Sequence, residues 1–128
     1  MFSIQSSSSD RELVFLAPQG DYFTVELRGK ELQACRGVYA CTDSQGLAAL
    51  FERLASHDRP WSGTESWESL ETEFSLTARC TPLGVVTFAI SIHGLPGVPE
   101  AWKLTAQLTS EMGQLPSIAA NARRFFSV

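Results

Sequence analysis

The sequence predicts an α+β domain: antiparallel sheet or sheets of about six strands and two helices, in the order βββαβββα. Three observations lead there. Several segments alternate apolar and polar residues with a period of two, two others carry apolar residues at helical spacing, and Gly/Pro-rich turns separate them. Clean alternation gives each strand one wet face, as antiparallel sheets have and buried parallel sheets do not. Helices with a single apolar stripe then cover the dry face. At 128 residues the chain is one domain's worth, large enough to bury a core without disulfide staples.

Residues 1–10 include the run Ser6 to Ser9 and read as a polar, flexible leader; residues 11–128 form the domain. Leu13 to Leu16 is a short apolar strand stopped by Pro18-Gln19-Gly20-Asp21. Phe23, Val25 and Leu27 then alternate with polar neighbours in a half-buried strand. A third, less regular strand runs from Leu32 to Ala40, with a bulge expected at Gly37. Leu47, Leu50, Phe51 and Leu54 line one side of a helix that Asp43 or Ser44 caps and that ends near His57.

The second half follows the same plan. One strand spans Leu70 to Cys80, with Leu70, Thr72 and Phe74 dry and Glu71 and Glu73 wet. Val86 to His93 and Trp102 to Thr109 alternate likewise, Trp102 opening its strand on the dry side. In Thr81-Pro82-Leu83-Gly84, proline suits the first central position of a type I turn and Gly84 the left-handed position of a three-residue hairpin loop. That pairs Thr81 with Val85, Cys80 with Val86, Leu76 with Ile90 and Phe74 with Ile92, so that dry residues face dry residues. On the wet face, Glu73 falls opposite His93 and Ser75 opposite Ser91. Last comes a helix with Leu115, Ile118, Ala119, Ala122, Phe125 and Phe126 on one stripe and Pro116 in its first turn.

Composition excludes several functions. A formal charge of −4 with only ten scattered Lys and Arg argues against nucleic acid, whose phosphates need clustered cations. No apolar run approaches a membrane span, and no basic start precedes an apolar segment, so a cytoplasmic location is expected. Cys35, Cys41 and Cys80 cannot all pair and read as buried free thiols. With His57 and His93 standing alone, neither a metal nor another cofactor is expected.

The segment WSGTESWESLETEF, Trp61 to Phe74, holds two tryptophans and four glutamates. Glu71 and Glu73 alternate out of a strand and read as solvated; Glu65 and Glu68 belong to the loop before it. Trp61 and Trp67 read as plugs for the end of the core, or in the competing reading as exposed anchors for a partner. His93 opposite Glu73, with Ser75 and Ser91 nearby, invites a triad, but neighbours on a flat sheet form no oxyanion hole and exclude no water.

The ordered set W…W-E-S-L-E-x-E-F-S-L-x-A from Trp61, G-V-V-x-F from Gly84, W-x-L-x-A-x-L from Trp102 and E-x-G-Q-L-x-x-I-A…R-x-F from Glu111 resembles an uncharacterised family of small bacterial domains, over about Gly46 to Phe126. More loosely, the order of elements is similar to that of immunity proteins that neutralise wall-associated bacterial toxins. The resemblance carries over no catalytic residues. These readings converge on a binding domain without a catalytic centre, whose partner is a protein and, in the most concrete version, a basic toxin domain. Its expected binding residues are Trp61, Glu65, Trp67, Glu68, Glu71, Glu73 and His93. The alternative is a small-molecule-binding domain or enzyme with a pocket between helix and sheet; a homodimer subunit is the third option.

Overall fold

The computed structural model describes residues 1–40 and 44–127. Two four-stranded antiparallel sheets and two helices make up an α+β fold in which four strands and a helix occur twice. The first sheet has the order β1 (Phe2–Gln5), β2 (Glu12–Gln19), β3 (Tyr22–Arg28), β4 (Ala34–Tyr39), followed by α1 (Ser44–Ala55). The second has the order β5 (Glu65–Glu68), β6 (Phe74–Cys80), β7 (Val85–His93), β8 (Lys103–Glu111), followed by a 3₁₀ turn (Met112–Gln114) and α2 (Leu115–Phe126).

Two strands beyond the expected six are β1 and β5. Residues 1–10, read from sequence as a leader, instead supply β1, which pairs with β2 from Phe2↔Phe15 to Gln5↔Glu12. Its alternation is only Phe2 and Ile4, too short to stand out as a periodic signal. Both are buried, and the Phe2 ring stacks on Phe15 with centroids 4.5 Å apart. Burying two such side chains is worth about 1.5–3 kcal/mol each, enough to order a short strand. The expected N-cap, Asp43 or the Ser44 side chain, and Cys41 lie outside the described residues.

The β6–β7 hairpin has the expected register, from Phe74↔Ile92 through Leu76↔Ile90 and Ser75↔Ser91 to Cys80↔Val86. Its turn closes with Gly84 N–H to the Thr81 carbonyl and Thr81 N–H to the Val85 carbonyl, both 2.9 Å, and Gly84 takes φ +85°. Gly37 makes no bulge: β3 and β4 pair without a shift from Tyr22↔Tyr39 to Leu27↔Ala34. The irregularity lies in β2, where Ala17 adopts φ +53° and the register slips between Leu16 and Gln19. Pro18 has no N–H for the ladder, so a slip beside it leaves no donor stranded.

One core joins the two sheets and both helices. Phe15 of β2 touches Phe51 of α1, Phe125 of α2 and Phe74 of β6 edge-on, at centroid distances of 6.2, 6.5 and 6.0 Å. Edge-to-face packing suits ring quadrupoles and here surrounds the stacked Phe2–Phe15 pair. The sheets also meet along two seams. Ser7 N–H donates to the Thr109 carbonyl at 2.9 Å, and the Arg11 guanidinium to the Gln107 carbonyl at 2.7 Å. On the other side Arg36 Nε of β4 donates to the His93 carbonyl at 2.9 Å. Among the described residues no helix is long and apolar enough to cross a membrane.

Candidate functional site

The Trp61–Phe74 segment does not form one acidic surface; the fold distributes its glutamates among three environments. Glu65 opens β5 and turns toward the C-terminal end of α1, where Arg53 Nε lies at 3.1 Å and Nε2 of His57, just past the helix, at 2.8 Å. Burial raises its pKa, but the hydrogen bonds from His57 and Arg53 outweigh that and hold the carboxyl below its ordinary value. The His57 ring stacks on Trp61 at 4.4 Å, and Trp61, half-buried against the core, has an indole N–H that is buried without an acceptor. Trp67 pairs with Leu76 and packs inward beside Phe74. Both tryptophans therefore belong to the body of the protein more than to its surface. Glu68 and Glu71 alone point freely into solvent.

Glu73 overturns its expected wet position: it is 3% exposed. The strand expected from Leu70 is interrupted. A tight turn, closed by Thr72 N–H to the Ser69 carbonyl and Ser69 N–H to the Phe74 carbonyl at 2.9 Å each, puts Thr72 at φ +59°. This break in alternation turns Glu73 inward and leaves Leu70, expected dry, 68% exposed. The Glu73 carboxylate accepts from the Ser69 hydroxyl and from the Tyr39 backbone N–H at 3.3 Å. Ser69 Oγ in turn accepts from Phe74 N–H at 3.2 Å. A buried carboxylate is tolerated only with such donors, and these tie β4 of the first sheet to the β5–β6 turn of the second.

His93 does lie opposite Glu73, but through backbone: its N–H donates to the Glu73 carbonyl at 3.0 Å. The side chains part. The imidazole Nδ1 donates to the Gly94 carbonyl at 2.7 Å, while the Glu73 carboxylate serves Ser69 and Tyr39. Ser75 and Ser91 sit side by side on the outer face over a shallow depression of about 360 Å³, and neither is hydrogen-bonded to a base among the described residues. The geometry for hydroxyl activation is not assembled. Cys35, expected buried, is exposed on β4, and Cys80 is half-buried on β6; the Cys35 position faces outward from the first sheet.

What the network of Glu73, Ser69 and His93 supports is the loop end of the second sheet. Trp102, expected in the core, precedes β8 and is 41% exposed. Its indole lies over Gly94, whose N–H donates to the Trp102 carbonyl at 3.0 Å; a Cβ at Gly94 would overlap the indole ring. Leu95 of the same loop is exposed beside it and, with Pro96 and Ala101, completes a shallow apolar basin of about 430 Å³; Val98, also exposed, follows in the same loop. Leu70 and Glu71 occupy the neighbouring turn, and Tyr22, exposed and packed on Tyr39 at 5.0 Å, continues the surface on the first sheet. Asp21, Glu68, Glu71 and Glu100 are exposed around this end, against Lys103 and an Arg36 already engaged by the His93 and Gly37 carbonyls. The result is an apolar, aromatic surface with an acidic rim.

Sequence comparison places residues 5–128 within a known family. The chain belongs to DUF6228, a family of unknown function. No curated protein and no solved structure matches it. Membership in the family thus fixes kinship over nearly the whole chain, β1 included in part, without assigning a reaction. Trp102 fits the strand alternation, so sequence reasoning places it in the core, while the stiff run Gly94-Leu95-Pro96-Gly97-Val98-Pro99 does read from sequence as a surface loop able to contact a partner.

Proposed function

We propose that this chain is a non-catalytic protein-binding domain that docks through the loop end of its second sheet. The carrying observation is the convergence there of exposed Leu70, Leu95, Val98 and Trp102 on a backbone pinned by buried Glu73. Large apolar side chains gathered at one end mark contact sites, and a rigid support lowers the ordering cost of binding. The partner is a protein with an apolar centre and a basic rim, matching the acidic side chains Asp21, Glu68, Glu71 and Glu100. A basic toxin domain neutralised by an immunity-type protein has that chemistry, and the order of elements supports this version. Of the residues expected to bind, Glu68 and Glu71 keep a direct role at the rim. Glu73 and His93 position the surface, while Trp61, Glu65 and Trp67 lie away from it.

The test is titration of the purified chain with the protein encoded immediately upstream of its gene, over a salt series. Binding weakened about thirtyfold by Trp102→Ala and slowed by Glu68→Lys with Glu71→Lys is expected. Tight binding that neither variant alters would overturn the docking surface.

A further inference from the structure

β8 is an edge strand of the second sheet, and its two halves are covered differently. Its register against β7 continues through Gly94 N–H to the Trp102 carbonyl at one end and Met112 N–H to the Gly84 carbonyl at the other. Even-numbered residues of β8 therefore bond β7, and odd-numbered ones turn their N–H and C=O to the open side. On the far half this chain covers that side itself. Ser7 N–H donates to the Thr109 carbonyl, Thr109 N–H to the Ser6 hydroxyl, and Arg11 to the Gln107 carbonyl. On the near half, beside the Trp102 loop, the outward N–H and C=O of Lys103 and Thr105 have no partner among the described residues.

Burial on the dry side follows the same division. Leu108 is 2% exposed where the β1–β2 turn covers the edge, Ala106 and Leu104 are half-buried, and Trp102 is 41% exposed. Unbonded backbone and apolar side chains short of cover thus coincide on one stretch. An edge in that state is a template for one more strand, which satisfies the backbone and covers the apolar side together. Other edges are better closed. On β4 the Glu73 carboxylate takes the Tyr39 N–H and Arg36 takes the Gly37 carbonyl; on β5 the inward residue, Trp67, is already buried.

We infer that the open half of β8 takes up an extended segment of the partner as an added strand, a mode of binding that rests on docking at this end of the molecule. The segment is short, because Arg11 occupies the edge at the Gln107 carbonyl. Its dry-side residue is apolar and closes over Leu104 and Trp102. Its residue opposite Lys103 is acidic, since Lys103 is exposed and enters no ion pair among the described residues. The same lysine disfavours a second copy as occupant. A two-fold pairing of so short an edge sets Lys103 opposite or diagonal to its own copy, where like charges repel.

The experiment follows amide hydrogen exchange of the full chain by NMR, alone and with the protein encoded immediately upstream of its gene. The Lys103 and Thr105 amides should exchange rapidly in the free chain and slow by about tenfold or more in the complex. Thr105→Pro removes an outward N–H without touching the β7–β8 ladder and should weaken binding about tenfold, against less than about twofold for Thr105→Ala. Where the proline variant does not fold, the exchange rates of the unaltered chain decide. Binding that leaves both amides exchanging as in the free chain, or that is equal for the two variants, would overturn the added strand and leave docking through Trp102 standing. No binding by the upstream protein would remove the docking surface and the strand with it. Protection that rises with the chain's own concentration would give the edge to a second copy and overturn the assignment.

Discussion

Glu65 and Glu73 stand eight positions apart in one acidic segment, yet the fold uses them in opposite ways. Glu65, toward the tight-turn end of the second sheet, stays half-exposed and is matched with two basic side chains. Glu73, at the loop end, is buried and is matched with a hydroxyl and a backbone amide. Surface pairs of the first kind contribute little, because water already solvates both partners. A buried carboxylate is different: once its donors are arranged around it, removing it strands them away from water. The stronger fastening lies under the end that also exposes Leu95, Val98 and Trp102. The difference teaches that a surface free of its own packing needs its order supplied from beneath.

This contrast can be broken at several strengths. Glu73→Leu leaves the Tyr39 N–H and the Ser69 hydroxyl without their acceptor and should lower the unfolding free energy by about 3 kcal/mol. Glu73→Gln retains one acceptor and should cost about half as much, both read from urea unfolding. If Glu73→Leu were neutral, the loop end would owe its order to something else.

Gly94→Ala comes next. Its Cβ collides with the Trp102 indole, so about 1–3 kcal/mol should be lost together with a change in tryptophan emission as the ring swings out. At the other end, Gly84→Ala meets no close backbone but must hold φ +85°, at a cost of about 1 kcal/mol with no change in tryptophan emission.

Glu65 gives a smaller, pH-dependent effect. Its folded pKa lies below the unfolded one, so the unfolded state binds the proton first as pH falls. The stability it adds is present above the unfolded carboxylate range and disappears as pH drops through the folded pKa. Glu65→Gln should therefore flatten the unfolding curve between neutral and acid pH by about 1 kcal/mol or less, and an unchanged slope would remove the pair from the account. Smallest of all, Leu83→Ser at the exposed tip of the β6–β7 turn should change stability by less than about 0.5 kcal/mol and leave partner binding intact.

Periodicity made most of the architecture legible. The β6–β7 register followed from one proline, one glycine and the demand that apolar faces meet. Both helices stood out through their apolar stripes. Three features stayed hidden for physical reasons. β1 is stabilised by rings from distant parts of the chain, which local pattern does not contain. The Ser69–Glu73 turn depends on a left-handed threonine and a buried carboxylate, both against local preference and both compensated by tertiary bonds. Trp102 obeys the alternation but sits one residue outside its strand, where the ladder no longer dictates its direction. Of the side chains at the proposed docking end, Glu68 and Glu71 were singled out from the sequence, whereas Trp102 was placed in the core and Leu70 on a dry strand face.

The pairing of Phe2 with rings at the far end of the chain bears on how the protein is made. Phe2 meets Phe125 and Phe126, and Ser7 meets Thr109, so β1, though paired locally with β2, has its full seat only once residues 109–126 are in place. Contacts so distant in sequence slow folding, and an apolar strand waiting for its neighbours is exposed to wrong partners. The serines from Ser6 to Ser9 keep the stretch beside it well hydrated during that wait, before three of them bond to Thr109 and close the seam.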